Sequence, residues 1–256
     1  MPPIIKKTFL KAVRLERDTI RSFDEYPLCI PSVRHLTRLE FHPAVTFFIG
    51  ENGSGKSTLL EAIATKYGFN AEGGSKNFNF VTEETHSDLH KYIRVERGVL
   101  HPSDGFFLRA ESFYNVATEI DRLGVERAYG GKSLHRQSHG EAFLSLLAHR
   151  FQGDGVYLLD EPEAALSPQR QLSVLTLMHR LVQQQSQLII ATHSPILLAY
   201  PQARIYLFSE AGISEVKYTD TEHYQITKDF LNRHERMIEL LLSAEDADLE
   251  SQRRKV

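Results

Sequence analysis

Gly50, Glu51, Asn52, Gly53, Ser54, Gly55, Lys56 and Ser57 fit the pattern G-x-x-x-x-G-K-[ST], a spacing that suits the phosphates of a nucleoside triphosphate. Each residue type has a physical reason. Glycines let the backbone curl so that successive N–H groups face phosphate oxygens, and a helix starting there adds the positive end of its dipole. Lys56 brings a compact cation to the outer phosphates. Ser57, followed by Thr58, brings a hard oxygen to the magnesium ion that accompanies such a nucleotide. A chance glycine-rich turn is the competing reading. At average glycine usage the four fixed positions match in about one such chain in a hundred, and here the flanks are an apolar strand and an amphipathic helix, as the mechanism requires.

Val156, Tyr157, Leu158 and Leu159 form an apolar run that ends in Asp160 and Glu161. A buried strand of this kind delivers Asp160 to its carboxyl end beside the phosphate loop, placed to hold the magnesium water shell. The adjacent Glu161 points another way and suits orienting and deprotonating the water that attacks the γ-phosphate. Taken alone, the two acids read as a strand end made acidic for solubility. His193 lies just past the next strand and is expected at the same edge, a place for a γ-phosphate sensor. Its plainer alternative is a histidine capping the helix that Pro195 begins.

Positioning these residues requires strands and helices in alternation. Residues 36–41 and 45–49 read as strands joined by His42, Pro43 and Ala44. Leu59, Leu60, Ile63, Ala64 and Tyr67 recur at helical spacing over 57–67, and Gly68 supplies a stop. Residues 91–95 and 106–108 read as strands that extend the sheet. A helix over 141–151 precedes the strand at 156–159. Ser167 and Pro168 then open a helix carrying Leu172, Leu175, Met178, Leu181 and Val182, and a strand at 188–191 follows. Two strands separated by a helix predict a parallel crossover. Residues 205–208 and 213–217 read as a hairpin, and Phe230, Leu231, Met237, Ile238 and Leu241 mark a last helix. The expected organisation is one domain over residues 1–243, with a flexible loop near 70–88 and a polar tail over 244–256.

The 256 residues carry 30 Lys plus Arg against 33 Asp plus Glu, a net charge of −3, and 41% are hydrophobic. That composition excludes a disordered chain, and near-neutral charge gives no strong field toward nucleic acid or a membrane surface. One cysteine, Cys29, forms no internal disulfide, and the first residues lack the apolar stretch of a secretory signal. No apolar run is long enough to cross a bilayer, so the cytoplasm is the expected location.

Taken together, the motifs resemble those of the ABC-type ATPases, over a stretch from about Leu36 to Phe208. Gly50 to Ser57 is similar to the Walker A loop, Leu158 to Glu161 to the Walker B strand with its catalytic glutamate, and His193 to the switch histidine. Gln137, Ser138, His139, Gly140 and Glu141 resemble the signature loop at the start of its helix. The resemblance implies a P-loop NTPase fold: an ABC-type head with a mostly parallel central sheet flanked by helices, plus an antiparallel β portion. It implies ATP and Mg2+ as cofactors, Lys56, Glu161 and His193 in catalysis, and Ser57 and Asp160 at the metal. Glu111 ends a strand where the family has its Q-loop glutamine and is a further metal candidate. It also implies an ATP-dependent homodimer in which Ser138 and Gly140 bind the γ-phosphate held by the opposite subunit. Locally, the same residues also read as an N-cap and capping box, Ser138 with Glu141.

Only about 26 residues, 112–137, separate the Q-loop position from the signature loop. That is too few for a transporter's helical subdomain, and no heptads signal coiled-coil arms. Glu161, Pro162 and Glu163 followed by Leu166, Ser167 and Pro168 are similar to small bacterial ATPases and to the overcoming-lysogenisation nucleases, whose nuclease domain finds no counterpart in the roughly 60 residues after His193. The expectation is a head that gates a separate effector or client, in nucleic-acid maintenance or defence, although the charge gives direct nucleic-acid binding no support. A transporter's energising subunit and a slowly hydrolysing scaffold are the alternative functions.

Overall fold

The computed structural model describes residues 7–75, 87–125, 127, 131 and 133–253, and the chain divides into two units, Met1–Val216 and Lys217–Val256. In the first unit the strands are β1 (Leu10–Leu15), β2 (Arg38–Glu40), β3 (Val45–Gly50), β4 (Ile93–Arg97), β5 (Asp104–Arg109), β6 (Gly155–Asp160), β7 (Gln187–Ala191), β8 (Arg204–Ser209) and β9 (Gly212–Val216). Its helices are α1 (Pro31–Arg34), α2 (Lys56–Tyr67), α3 (Phe113–Leu123), α4 (His139–Arg150), α5 (Pro168–Gln183) and α6 (Pro195–Leu198).

Strands β3, β6 and β7 are buried at every position, the pattern of strands covered on both faces. They form the middle of a sheet ordered β5-β6-β7-β3-β8-β9, in which β5 through β8 run parallel and β9 pairs antiparallel with β8. The expected crossover is present: α5 joins the adjacent parallel strands β6 and β7. So is the hairpin of β8 and β9. A parallel arrangement aligns the carboxyl ends of β3, β6 and β7, which is why loop residues far apart in sequence meet at one edge.

A second, antiparallel sheet has the order β2-β1-β4. Residues 91–95 and 106–108 therefore do not extend one sheet as their sequence suggested: β4 pairs with β1, and β5 forms the edge of the parallel sheet. Between the sheets stands α2. It buries Leu59, Leu60, Ala62, Ile63, Ala64 and Tyr67 in one cluster with Leu10 and Val13 of β1, Ile93 of β4, Phe48 of β3 and Leu158 of β6. A helix covered on nearly every side is held by packing more than by its own propensity. Gln187 ties the two layers together: fully buried, its amide accepts from the N–H groups of Phe9 and Leu10 and donates to the carbonyls of Leu10 and His42.

Of the loop expected near residues 70–88, 76–86 lie outside the described residues. The preceding part is paired, with Gly74 and Phe107 exchanging backbone hydrogen bonds of 2.7 and 3.0 Å. In the second unit, α7 (Glu222–Arg253) has a non-helical residue at Arg233. It begins earlier than the apolar positions indicated and continues through the stretch expected to be a polar tail, whose last residues, 254–256, lie outside the described ones.

Candidate functional site

The phosphate loop leaves β3 at Gly50, whose φ of +140° and crowding leave no room for a side chain: a Cβ there would stand 2.3 Å from the carbonyl oxygen of Phe208 on β8. Gly55, at φ +97°, turns the chain into α2, and a Cβ at this position would meet the Ser32 hydroxyl at 2.7 Å. That hydroxyl donates to the carbonyl of Ser54, so α1 braces the loop from behind. Lys56 is buried and donates to the carbonyls of Gly50 and Glu51 at 2.9 and 2.8 Å. Burial lowers its pKa, partly offset by the carboxylates of Glu161, Asp160 and Glu163.

Asp160, the last residue of β6, is 6% exposed, and its Oδ1 accepts from the Ser57 hydroxyl at 2.8 Å. Burial pushes its pKa up to about 6; the Ser57 bond and Arg109 pull it down, while Glu161 and Glu111 push it further up. Arg109, beside Asp160 in the β5–β6 register, has Nε 3.6 Å from Asp160 Oδ2, Nη1 2.7 Å from buried Glu61, and Nη2 3.2 Å from Glu111. Glu111 is largely exposed and turned to Arg109. Two hard oxygens, a hydroxyl and a carboxylate, in contact at the head of the phosphate loop fit a magnesium ion.

Glu161 takes a left-handed backbone conformation, φ +50°, an uncommon state for a non-glycine residue, directly after the last residue of β6. Its N–H donates to Ala191 at the end of β7, and its Oε1 lies 3.9 Å from His193 Nε2. Glu163, which the sequence offered as part of a family pattern but with no role of its own, accepts from the N–H of His193. Burial raises the Glu163 pKa against that bond. The hydroxyl of Ser194 caps α6 through the Leu197 N–H and donates to Gln171 of α5. The capping role raised for His193 thus belongs to Ser194.

Ser138 caps α4. Glu141 accepts from both its N–H and its hydroxyl, at 3.1 and 2.6 Å, the second half of a capping box. These bonds lower the Glu141 pKa. Arg170, in the first turn of α5, reaches Glu141 at 3.3 Å and Ser138 at 3.4 Å. Gly140 lies under it: a Cβ would stand 2.4 Å from Arg170 Nη1 and 2.8 Å from the Ala165 carbonyl. The fold thus gathers Lys56, Ser57, Asp160, Glu161 and His193 in one linked set, and seats Ser138 and Gly140 in another, against the segment after Glu161. Arg109, Glu61 and Arg170 carry no sequence pattern of their own. Only the parallel register of β5 with β6, and the turn of helix from Ser57 to Glu61, could have signalled the first two.

A glycine loop between a buried strand and a buried helix, in a mostly parallel sheet with a small antiparallel sheet, defines a P-loop ATPase head of ABC type. Two family models match in chain order, one described as "AAA domain" over residues 15–135 and one described as "AAA domain, putative AbiEii toxin, Type IV TA system" over residues 140–199. Over these two stretches the chain is similar to AAA-domain proteins. Similar solved structures include CbiO1 from Clostridium perfringens, part of the ABC transporter complex CbiONQ, at 18% identity and TM-score 0.49, covering 92% of this chain and 99% of that one. The SMC head domain from Thermotoga maritima is another, at 16% identity and TM-score 0.44, covering 82% and 98%. No curated protein matches the sequence. Among the described residues no helix is long and apolar enough to cross a membrane.

Proposed function

We propose that this chain is a magnesium-dependent cytoplasmic ATPase whose two copies close head to tail around two ATP molecules and so gate a separate effector or client. The contact of Ser57 with Asp160 at 2.8 Å carries the reading, because it joins the phosphate loop to a buried carboxylate whose burial is otherwise costly. Lys56 and the loop amides from Gly50 to Thr58 would hold the phosphates, and Ser57 and Asp160 would hold Mg2+, with Glu111 a further candidate ligand. When bound, the ion neutralises charge on the phosphate oxygens. Glu161 accepts the proton of a water whose oxygen bonds to the γ-phosphorus as the bond to the β–γ bridging oxygen breaks, leaving ADP and phosphate. His193 reads the γ-phosphate from the same edge, and Ser138 and Gly140 offer the N-terminus of α4 to the nucleotide of the second copy.

Glu161→Gln tests this. The variant is expected to bind ATP, to turn it over at least a hundredfold more slowly, and to elute as a dimer from a sizing column only with ATP. A monomer under ATP overturns the head-to-tail mechanism, and unchanged phosphate release overturns the role of Glu161. Proteins retained by the trapped dimer identify the client. A membrane protein among them favours the transporter reading, and phosphate release measured with and without DNA tests a nucleic-acid client.

A further inference from the structure

The two oxygens of Asp160 have different neighbours. Oδ1 accepts from Ser57 at 2.8 Å, while Oδ2 faces Nε of Arg109 at 3.6 Å. Terminal carboxylate torsions are broad and roughly two-fold, so one hydrogen bond does not by itself fix the plane of this group. Arg109 supplies the second constraint. Its Nη1 is held by Glu61 at 2.7 Å, and Glu61 is held in turn by the N–H of Ser87 at 3.0 Å. Glu61 lies one helical turn beyond Ser57 and shares its face of α2. One helix therefore carries both the hydroxyl that takes Oδ1 and the carboxylate that anchors the cation facing Oδ2. Among the described residues the buried Nε of Arg109 has no hydrogen-bond partner, and Oδ2 of Asp160 is 3.6 Å from it. The remaining amine, Nη2, is turned to Glu111 at 3.2 Å.

We propose that Arg109 is a positioning residue for the metal side of the site: braced by Glu61, its guanidinium holds Oδ2 of Asp160 on the sheet side, so that the carboxylate presents a fixed edge, next to Ser57, to the nucleotide's divalent cation. The inference rests on the magnesium-dependent ATPase reading above. A lysine at 109 keeps the charge but loses the planar fork, and cannot bond Glu61 while facing Asp160. Removing the guanidinium alone strands Glu61 as a buried charge without its cation. The informative change is therefore Glu61→Gln with Arg109→Gln, which leaves the net charge of the pair unaltered.

The test compares the affinity of a fluorescent ATP analogue in EDTA with its affinity in saturating Mg2+, for the wild type, Arg109→Lys and the double variant, with thermal melting as a check on folding. Affinity in EDTA is expected to stay within about twofold of wild type, while the gain on adding Mg2+ falls about tenfold in both variants. A purely structural role lowers both affinities together. A gain equal to or larger than wild type in the folded double variant overturns the proposal. If the wild type itself binds the analogue no better with Mg2+ than with EDTA, the magnesium-dependent ATPase reading falls instead, and the two failures are distinct.

Discussion

The hydroxyl of Ser57 donates to Oδ1 of Asp160 across 2.8 Å, joining the first turn of α2 to the last residue of β6. This bond favours the charged carboxylate, yet burial outweighs it and pushes Asp160 from 3.8 up to about 6. A carboxyl whose folded pKa lies above its unfolded value binds its proton more tightly when folded. Its contribution to stability is therefore lost as pH rises from about 4 to 6, a penalty of the order of 3 kcal/mol that is complete by pH 7. In EDTA, Asp160→Asn is expected to melt above wild type at pH 7.5 and to converge with it near pH 4, because asparagine keeps an acceptor for Ser57 and carries no charge. Equal melting temperatures at pH 7.5 would show that Ser57 and Arg109 compensate the carboxylate fully.

A second prediction concerns the joint between the two sheets. Gln187 is fully buried and serves four backbone groups, in Phe9, Leu10 and His42. Leucine has nearly the same volume, so Gln187→Leu opens no cavity and isolates the cost of stranding those groups, each worth about 1–3 kcal/mol when left without a partner. The variant is expected to lose at least 3 kcal/mol by urea unfolding. A loss below about 1 kcal/mol would mean that the antiparallel sheet docks through its apolar face alone.

What the sequence made legible follows from which forces are local. The phosphate loop and the strand ending in Asp160 were readable because both couple a rigid spacing to an apolar flank, and β6, α5 and β7 declare a parallel crossover by their order. β1 was not readable: Leu10–Leu15 alternates weakly, and its partners, β2 and β4, come from distant parts of the chain. Residues 91–95 looked like sheet and are sheet, yet local pattern does not say which sheet, since that choice is made by packing against α2. The same limit hid Arg109 and Glu163. Arg109 was given no role and Glu163 entered only as part of the pattern that starts at Glu161, and only the strand register and the turn after Glu161 bring them to Asp160 and His193.

The third prediction separates the two linked sets of residues. Gly140 sits in the first turn of α4, where a helical backbone accepts alanine, so the cost of Gly140→Ala is one of space. Its Cβ would meet Arg170 Nη1 at 2.4 Å and the Ala165 carbonyl at 2.8 Å. The arginine tip can swing aside, but the backbone carbonyl has less freedom, so the start of α4 must back away from the segment that follows Glu161. Lys56, Ser57 and Asp160 lie outside this contact. Gly140→Ala in the Glu161→Gln background is therefore expected to bind a fluorescent ATP analogue within about twofold of its parent while losing at least tenfold in ATP-dependent dimerisation, read by light scattering on a sizing column. Adding Arg170→Ala relieves only the movable half of the clash and should not restore the dimer. If Gly140→Ala dimerises as readily as its parent, the N-terminus of α4 does not meet the second copy's nucleotide.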